Sequence, residues 1–194
     1  KTAILFDWDN WWAVEYSSGP SVRLKYLDAV LDYYKAAYAL NVPVDIISTG
    51  HSLEPYQVVI APLLYMVKRG YEEKLKDYVR QGGNFVTSYF SGIVDEHDLV
   101  DCGGYPGRLR ELLGVWVEES DALPFGEQNA ITYNGTRYPA DLMCDLMHLE
   151  GAQALANYEE DFYAGTPAVT VNKYGLGKAY YVGTHSDEMF YQTW

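Results

Sequence analysis

Cysteine is nearly missing from this chain. Cys102 and Cys144 are the only two in 194 residues, too few for a disulfide framework. No CxxC and no His/Cys pair at metal-ligand spacing accompanies them, so no metal or redox motif can be read, and two reduced thiols suit a cytosolic protein. Cations are scarce as well. Fourteen Lys and Arg stand against 27 Asp and Glu, a net charge of −13, and they form no run, which argues against nucleic-acid binding because such a surface repels phosphate backbones. No apolar run approaches the ~20 residues that span a bilayer, so no membrane partner is expected. The chain opens without a signal peptide, and we expect a cytoplasmic location. It also starts without Met and ends abruptly at Trp194, as a piece cut from something longer would. Repeats, low-complexity tracts and linkers are lacking, so residues 1–194 read as one domain. Gly82-Gly83 and Gly103-Gly104 lack the Lys and helix start of a phosphate loop, and no cofactor is expected.

Aromatic residues are what the chain has in excess. It carries 19 Tyr and 5 Trp, and three of the Trp fall within five positions, directly after the apolar strand 3–6. In an open α/β sheet, the segments beyond the carboxyl ends of strands face ligands or partners. Trp is costly to expose and offers a large apolar face with one N–H donor. Trp8, Asp9, Asn10, Trp11, Trp12 and Glu15 are therefore candidates for a protein interface or a sugar platform, with plain packing of two of the rings as the alternative.

A loop is expected to carry these residues, followed by an amphipathic helix from Ser21 to Leu40. Its apolar stripe runs through Leu24, Leu27, Leu31, Tyr34 and Tyr38, widened by Val30 and Ala37. Residues 42–48 and 58–62 read as strands, 71–81 as a helix with a Glu72/Lys76 pair that ends at Gly82-Gly83, and 84–88 as a fourth strand. Apolar strands alternating with helices predict a parallel sheet covered on both faces. The second half changes character. Pro106 to Leu113 reads as a short helix closed by Gly114, Asn134-Gly135 as a hairpin turn within 131–138, and 168–172 and 178–182 as strands flanking Gly175-Leu176-Gly177. The expected architecture is a flavodoxin-like parallel sheet with appended antiparallel strands.

Catalytic signals are faint. Strand 84–88 leads into Ser88-Tyr89-Phe90-Ser91-Gly92, where a nucleophile could sit on a tight turn, and His185 with Asp187 lies near the C-terminus. Ser88, Ser91, His185 and Asp187 thus form a candidate vestigial site. Gly-x-Ser-x-Gly is absent, and neither Cys follows that strand. Asp95-Glu96-His97-Asp98 reads as a solvated loop rather than a metal site. Asp141, Asp145 and His148 would share a face only if helical, and the same segment reads equally well as strand.

Several long segments in one order are similar to a known family: DWDNWWAVE at 7–15, NVPVDII at 41–47, YQVVIAPLLYMV at 56–67, GGNFVTSYFSGIVDEHDL at 82–99, YPGRLRELLGVWVEE at 105–119, HLEGAQALANY at 148–158, DFYAGTPAVTVN at 161–172 and GLGKAYYVGTH at 175–185. Across essentially its full length the chain resembles the middle, trimerisation domain of glycoside hydrolase family 42 β-galactosidases. The resemblance implies the fold of class I glutamine amidotransferases. It implies a retaining parent enzyme that cleaves terminal β-D-galactosyl residues with two glutamates on a barrel absent from this chain. No family catalytic residue carries over, so this fragment is expected to be no enzyme by itself. Its implied partners are copies of itself in a homotrimer and the parent's barrel, with galactosides possible at the subunit boundary.

Overall fold

Apolar residues at consecutive positions of the early strands require burial on both sides. The computed structural model describes residues 1–16 and 19–194. It sets β1 (Thr2–Leu5), β2 (Val44–Ile47), β3 (Val58–Ala61) and β4 (Asn84–Ser88) parallel to one another, and β10 (Gly177–Val182) joins them parallel to β4. Ala3, Leu5, Val59, Phe85 and Tyr181 point into one core with Leu75 and Val79 of α3 (Tyr71–Arg80) and Leu112 of α4 (Arg110–Leu113). Ile4, Val86 and Val182 point the other way, beneath Val30 and Tyr33 of α2 (Tyr26–Ala39) and Phe190 of α5 (Glu188–Thr193). Each fully buried Leu, Val or Phe of these layers contributes about 1.5–3 kcal/mol relative to exposure. None of the described helices is long and apolar enough to cross a membrane.

Strand order across this half is β2-β1-β3-β4-β10. The chain reverses its direction of travel between β1 and β3, and side chains beyond the carboxyl ends of strands converge at such a reversal.

The remaining strands among the described residues extend the sheet to eleven: β5 (Val115–Ala122), β6 (Asn129–Tyr133), β7 (Thr136–Leu149), β8 (Gln153–Tyr158), β9 (Pro167–Tyr174) and β11 (Thr184–His185). The Asn134-Gly135 turn joins β6 to β7 as the sequence predicts, with φ of 49° and 78°, the left-handed pair a two-residue hairpin turn needs. β7 changes partner at Leu142, whose φ is 62°. Before that residue it pairs with β6, and after it with β5. β11 adds itself there with a register shift, which sets His185 opposite Asp141.

Four expectations fail. Residues 8–16 are helix α1 (Trp8–Tyr16), not loop; Asp7 caps it, its Oδ1 accepting the Asp9 N–H at 3.3 Å. Ser17 and Ser18 of that expected loop lie outside the described residues. The next helix begins at Tyr26 rather than Ser21, because Pro20 is followed by a turn closed by Leu24 N–H on the Ser21 carbonyl. Its apolar stripe is also misplaced. Tyr26, Ala29, Val30, Tyr33 and Ala36 are buried, whereas Leu27, Tyr34 and Tyr38 are exposed. Both faces of α2 are apolar, so periodicity could not choose between them. Lys76 pairs with Glu73 at 3.0 Å and Glu111 at 2.8 Å, not with Glu72.

Candidate functional site

Helical geometry sorts the residues of α1 by face. Trp8, Trp12 and Tyr16 recur every four positions and stand outward, 57%, 53% and 86% exposed. Trp11 lies between faces: its ring packs edge-on to Phe6 at 5.8 Å, and its Nε1 donates to Glu15 Oε1 at 2.6 Å. Phe6 and Trp11 support Trp8, at 5.2 and 5.3 Å between ring centroids. The outer face is therefore a propped aromatic surface.

Asn10 points the opposite way and is fully buried. Its Nδ2 donates to the Leu63 carbonyl at 2.9 Å, and its Oδ1 accepts the Met66 N–H at 2.7 Å. It locks α1 onto the turn after β3, where Leu63 holds a φ of 47°. The structure thus places Asn10 inside, away from the surface expected for it, and the misreading follows from treating the segment as loop.

Asp9 remains at the surface, with Oδ2 2.7 Å from Lys68 Nζ, and Asp7 lies 2.9 Å from the same ammonium. Partial burial works against the Lys68 charge, yet the two carboxylates outweigh it and raise its pKa. Beside this ion pair, Asp9, Trp12, Tyr16, Met66, Glu96 and Asp98 surround an open hollow of about 380 Å³. Asp95, Glu96 and His97 bring ligand-type atoms within 4.8 Å of one another, but Asp95 Oδ1 accepts the N–H groups of His97 and Leu99, and Glu96 Oε2 accepts that of Arg69.

At the corner after β4, both serines are fully buried and engaged with backbone. Ser88 Oγ accepts the Leu63 N–H at 2.8 Å; Ser91 Oγ accepts the Leu64 N–H at 2.9 Å and donates to the Ser88 carbonyl at 2.6 Å. No hydrogen bond among the described residues joins either hydroxyl to His185. That imidazole lies between two carboxylates instead, Nδ1 on Asp141 and Nε2 3.2 Å from Asp32. Burial opposes its charge, but the carboxylates prevail and raise its pKa to about 9, so it is an imidazolium at neutral pH and cannot accept a proton. Asp187 caps α5, accepting the Phe190 N–H at 2.9 Å. The four residues are not brought together as a hydrolase would need.

A residue outside that set occupies the strained position. Phe90 has a φ of 56°, costly by about 1–3 kcal/mol for a bulky side chain. Its N–H is held by Asp145 Oδ2 at 2.9 Å and its ring stacks on Tyr65 at 5.3 Å. Asp145 is buried and also accepts Ser120 and Tyr181 hydroxyls, each at 2.6 Å; burial raises its pKa in spite of these donors. Of the other two residues grouped with it, Asp141 serves His185, and His148 pairs at the surface with Glu118 at 2.6 Å.

Fold and surface together define a mixed α/β domain whose parallel half is covered on both faces and whose carboxyl edge presents an aromatic helix. The chain belongs to the family described as the β-galactosidase trimerisation domain, which matches residues 1–193. It is 53% identical to β-galactosidase BgaP of Planococcus sp. (strain L4), over 98% of this chain and 29% of that protein. Identity is 51% to β-galactosidase LacZ of Lactobacillus acidophilus, over 95% of this chain and 28% of that protein. The crystal structure of a β-galactosidase from Bacillus circulans sp. alkalophilus superposes with a TM-score of 0.97 at 48% identity, covering 99% of this chain and 29% of that one. This chain therefore spans under a third of the length of these three proteins.

Proposed function

We propose that this chain is the assembly unit of a longer cytoplasmic β-galactosidase that hydrolyses terminal β-D-galactosyl residues, and that it supplies no catalytic group itself. Its partners are other copies of the same chain in a homotrimer and the catalytic barrel of the parent. The observation that carries this reading is the exposed face of Trp8, Trp12 and Tyr16, with Trp8 propped from behind by Phe6 and Trp11. Large rings held rigidly at a surface lose little entropy on docking and exclude much water. The engaged serines and charged His185 support the non-catalytic part. The order β2-β1-β3-β4-β10 supports a flavodoxin-like, amidotransferase-like core within a single domain over residues 1–194. Sedimentation equilibrium over a concentration series tests the assembly: a mass near three times 22.0 kDa, reduced by Trp8→Ala with Trp12→Ala, is expected.

A second reading rests on the hollow beside α1, where Trp12 and Tyr16 rings meet the carboxylates of Asp9, Glu96 and Asp98. Rings beside carboxylates also suit a galactoside at a subunit boundary, with the α1 face lining a neighbour's substrate entrance. Trp fluorescence during galactose and lactose titration separates the readings; no response at tens of millimolar removes the sugar.

A further inference from the structure

The amino ends of the parallel strands carry a second surface of opposite character. A groove of about 630 Å³ is floored by Ile60, Val86, Val171 and Tyr180 and bordered by Leu40 and Trp194. Thr2, Val58 and Asn84, which begin β1, β3 and β4, also line it. On its rim, Lys178 stands directly opposite Lys173 across the β9–β10 ladder. Like charges in that position repel, and neither ammonium has a partner among the described residues. Two unneutralised lysines side by side are unexpected in a chain of net charge −13.

The groove and the α1 face are complementary. One is apolar and rimmed by cations; the other is aromatic and flanked by Glu96 and the unpartnered Asp98. They lie at opposite ends of the same parallel strands, about 13–17 Å apart at ~3.3 Å per residue, so a single copy cannot fit one into the other. A threefold ring requires such a pair of unlike patches, one from each side of every contact.

We propose that the α1 face of one copy docks into the lysine-rimmed groove of the next, closing the ring through three such contacts. This rests on the reading of the chain as a self-assembling unit. Lys173 and Lys178 meet Glu96 and Asp98 of the neighbour, while Trp12 and Tyr16 cover the apolar floor.

Charge reversal tests it. Three variants are compared with the parent by sedimentation equilibrium: Lys173→Glu with Lys178→Glu, Glu96→Lys with Asp98→Lys, and all four together. Each pair alone should weaken association about tenfold or more, because like charges then meet at every contact. The fourfold variant restores complementarity at every contact and should recover association to within about threefold of the parent. Parent and variants that all associate equally overturn this contact and leave the assembly reading standing. A parent that remains monomeric at every concentration overturns both. A fourfold variant that melts normally but fails to recover overturns the pairing of the two patches. If a reversal lowers the melting temperature, Lys178→Gln and Asp98→Asn replace it, each expected to weaken association by a smaller factor.

Discussion

Asn10→Ala separates the two sides of α1. The substitution removes the donor to the Leu63 carbonyl and the acceptor of the Met66 N–H. The carbonyl retains a second donor, Tyr65 N–H at 2.7 Å, so its loss is one ordinary hydrogen bond, about 0.5–1.5 kcal/mol. The Met66 N–H has no other acceptor among the described residues, and an orphaned buried donor costs about 1–3 kcal/mol. Together these predict a loss of about 2–4 kcal/mol, a drop in melting temperature of roughly 4–16 °C for a chain of this size. Urea denaturation followed by far-UV circular dichroism reads the change in midpoint at constant slope. Tyr16→Ala is the control: that residue is 86% exposed, and its truncation should move stability by less than about 0.5 kcal/mol. An Asn10→Ala loss below about 1 kcal/mol would refute the clamp and return Asn10 to the surface role the sequence suggests.

His185 links stability to pH. Its folded pKa is raised from 6.5 to about 9, so its stabilisation is complete below pH 6.5 and declines as pH rises through about 9. The full amplitude is about 3 kcal/mol, and denaturation midpoints of a His185→Gln variant should lack this alkaline decline. Ser91→Ala should orphan the Leu64 N–H and cost about 1–3 kcal/mol, while turnover of acyl ester and amide substrates stays at the background of a Ser88→Ala, Ser91→Ala variant. Cys102 is exposed, whereas Cys144 is buried with a pKa raised to about 11 by that burial; a thiol reagent at pH 8 should titrate one sulfhydryl quickly in the native protein and both after unfolding.

The hairpin at Asn134-Gly135, the parallel strands and the helix 71–81 were legible because local chemistry and tertiary context agree there. An Asn-Gly pair between apolar runs has few alternatives, and a strand buried on both faces advertises itself by continuous apolar residues. Helix α1 was hidden. Nine residues containing three Trp together with Asp9, Asn10 and Val14 carry weak helical propensity, and its start depends on Asp7, whose capping bond is visible only in three dimensions. Had residues 8–16 been read as helix, the four-residue spacing of Trp8, Trp12 and Tyr16 would have added Tyr16 to the outward set and sent Asn10 inside. Phe90 carries no chemical signal of its strained position, because any residue type obscures a φ that glycine would have announced.

The sequence by itself determined the class of this protein. Alternating apolar strands and helices, an acidic charge balance, few thiols and long ordered segments of family likeness all follow from local composition and order. Only the tertiary structure decided which side chains are available. Whether Leu27 or Val30 faced the sheet, whether Ser88 was free or bound to backbone, and whether His185 was a base or a cation between Asp141 and Asp32 depend on contacts far apart in the chain. Burial and charge pairing act through space, and the partners that set them are separated by up to 153 positions.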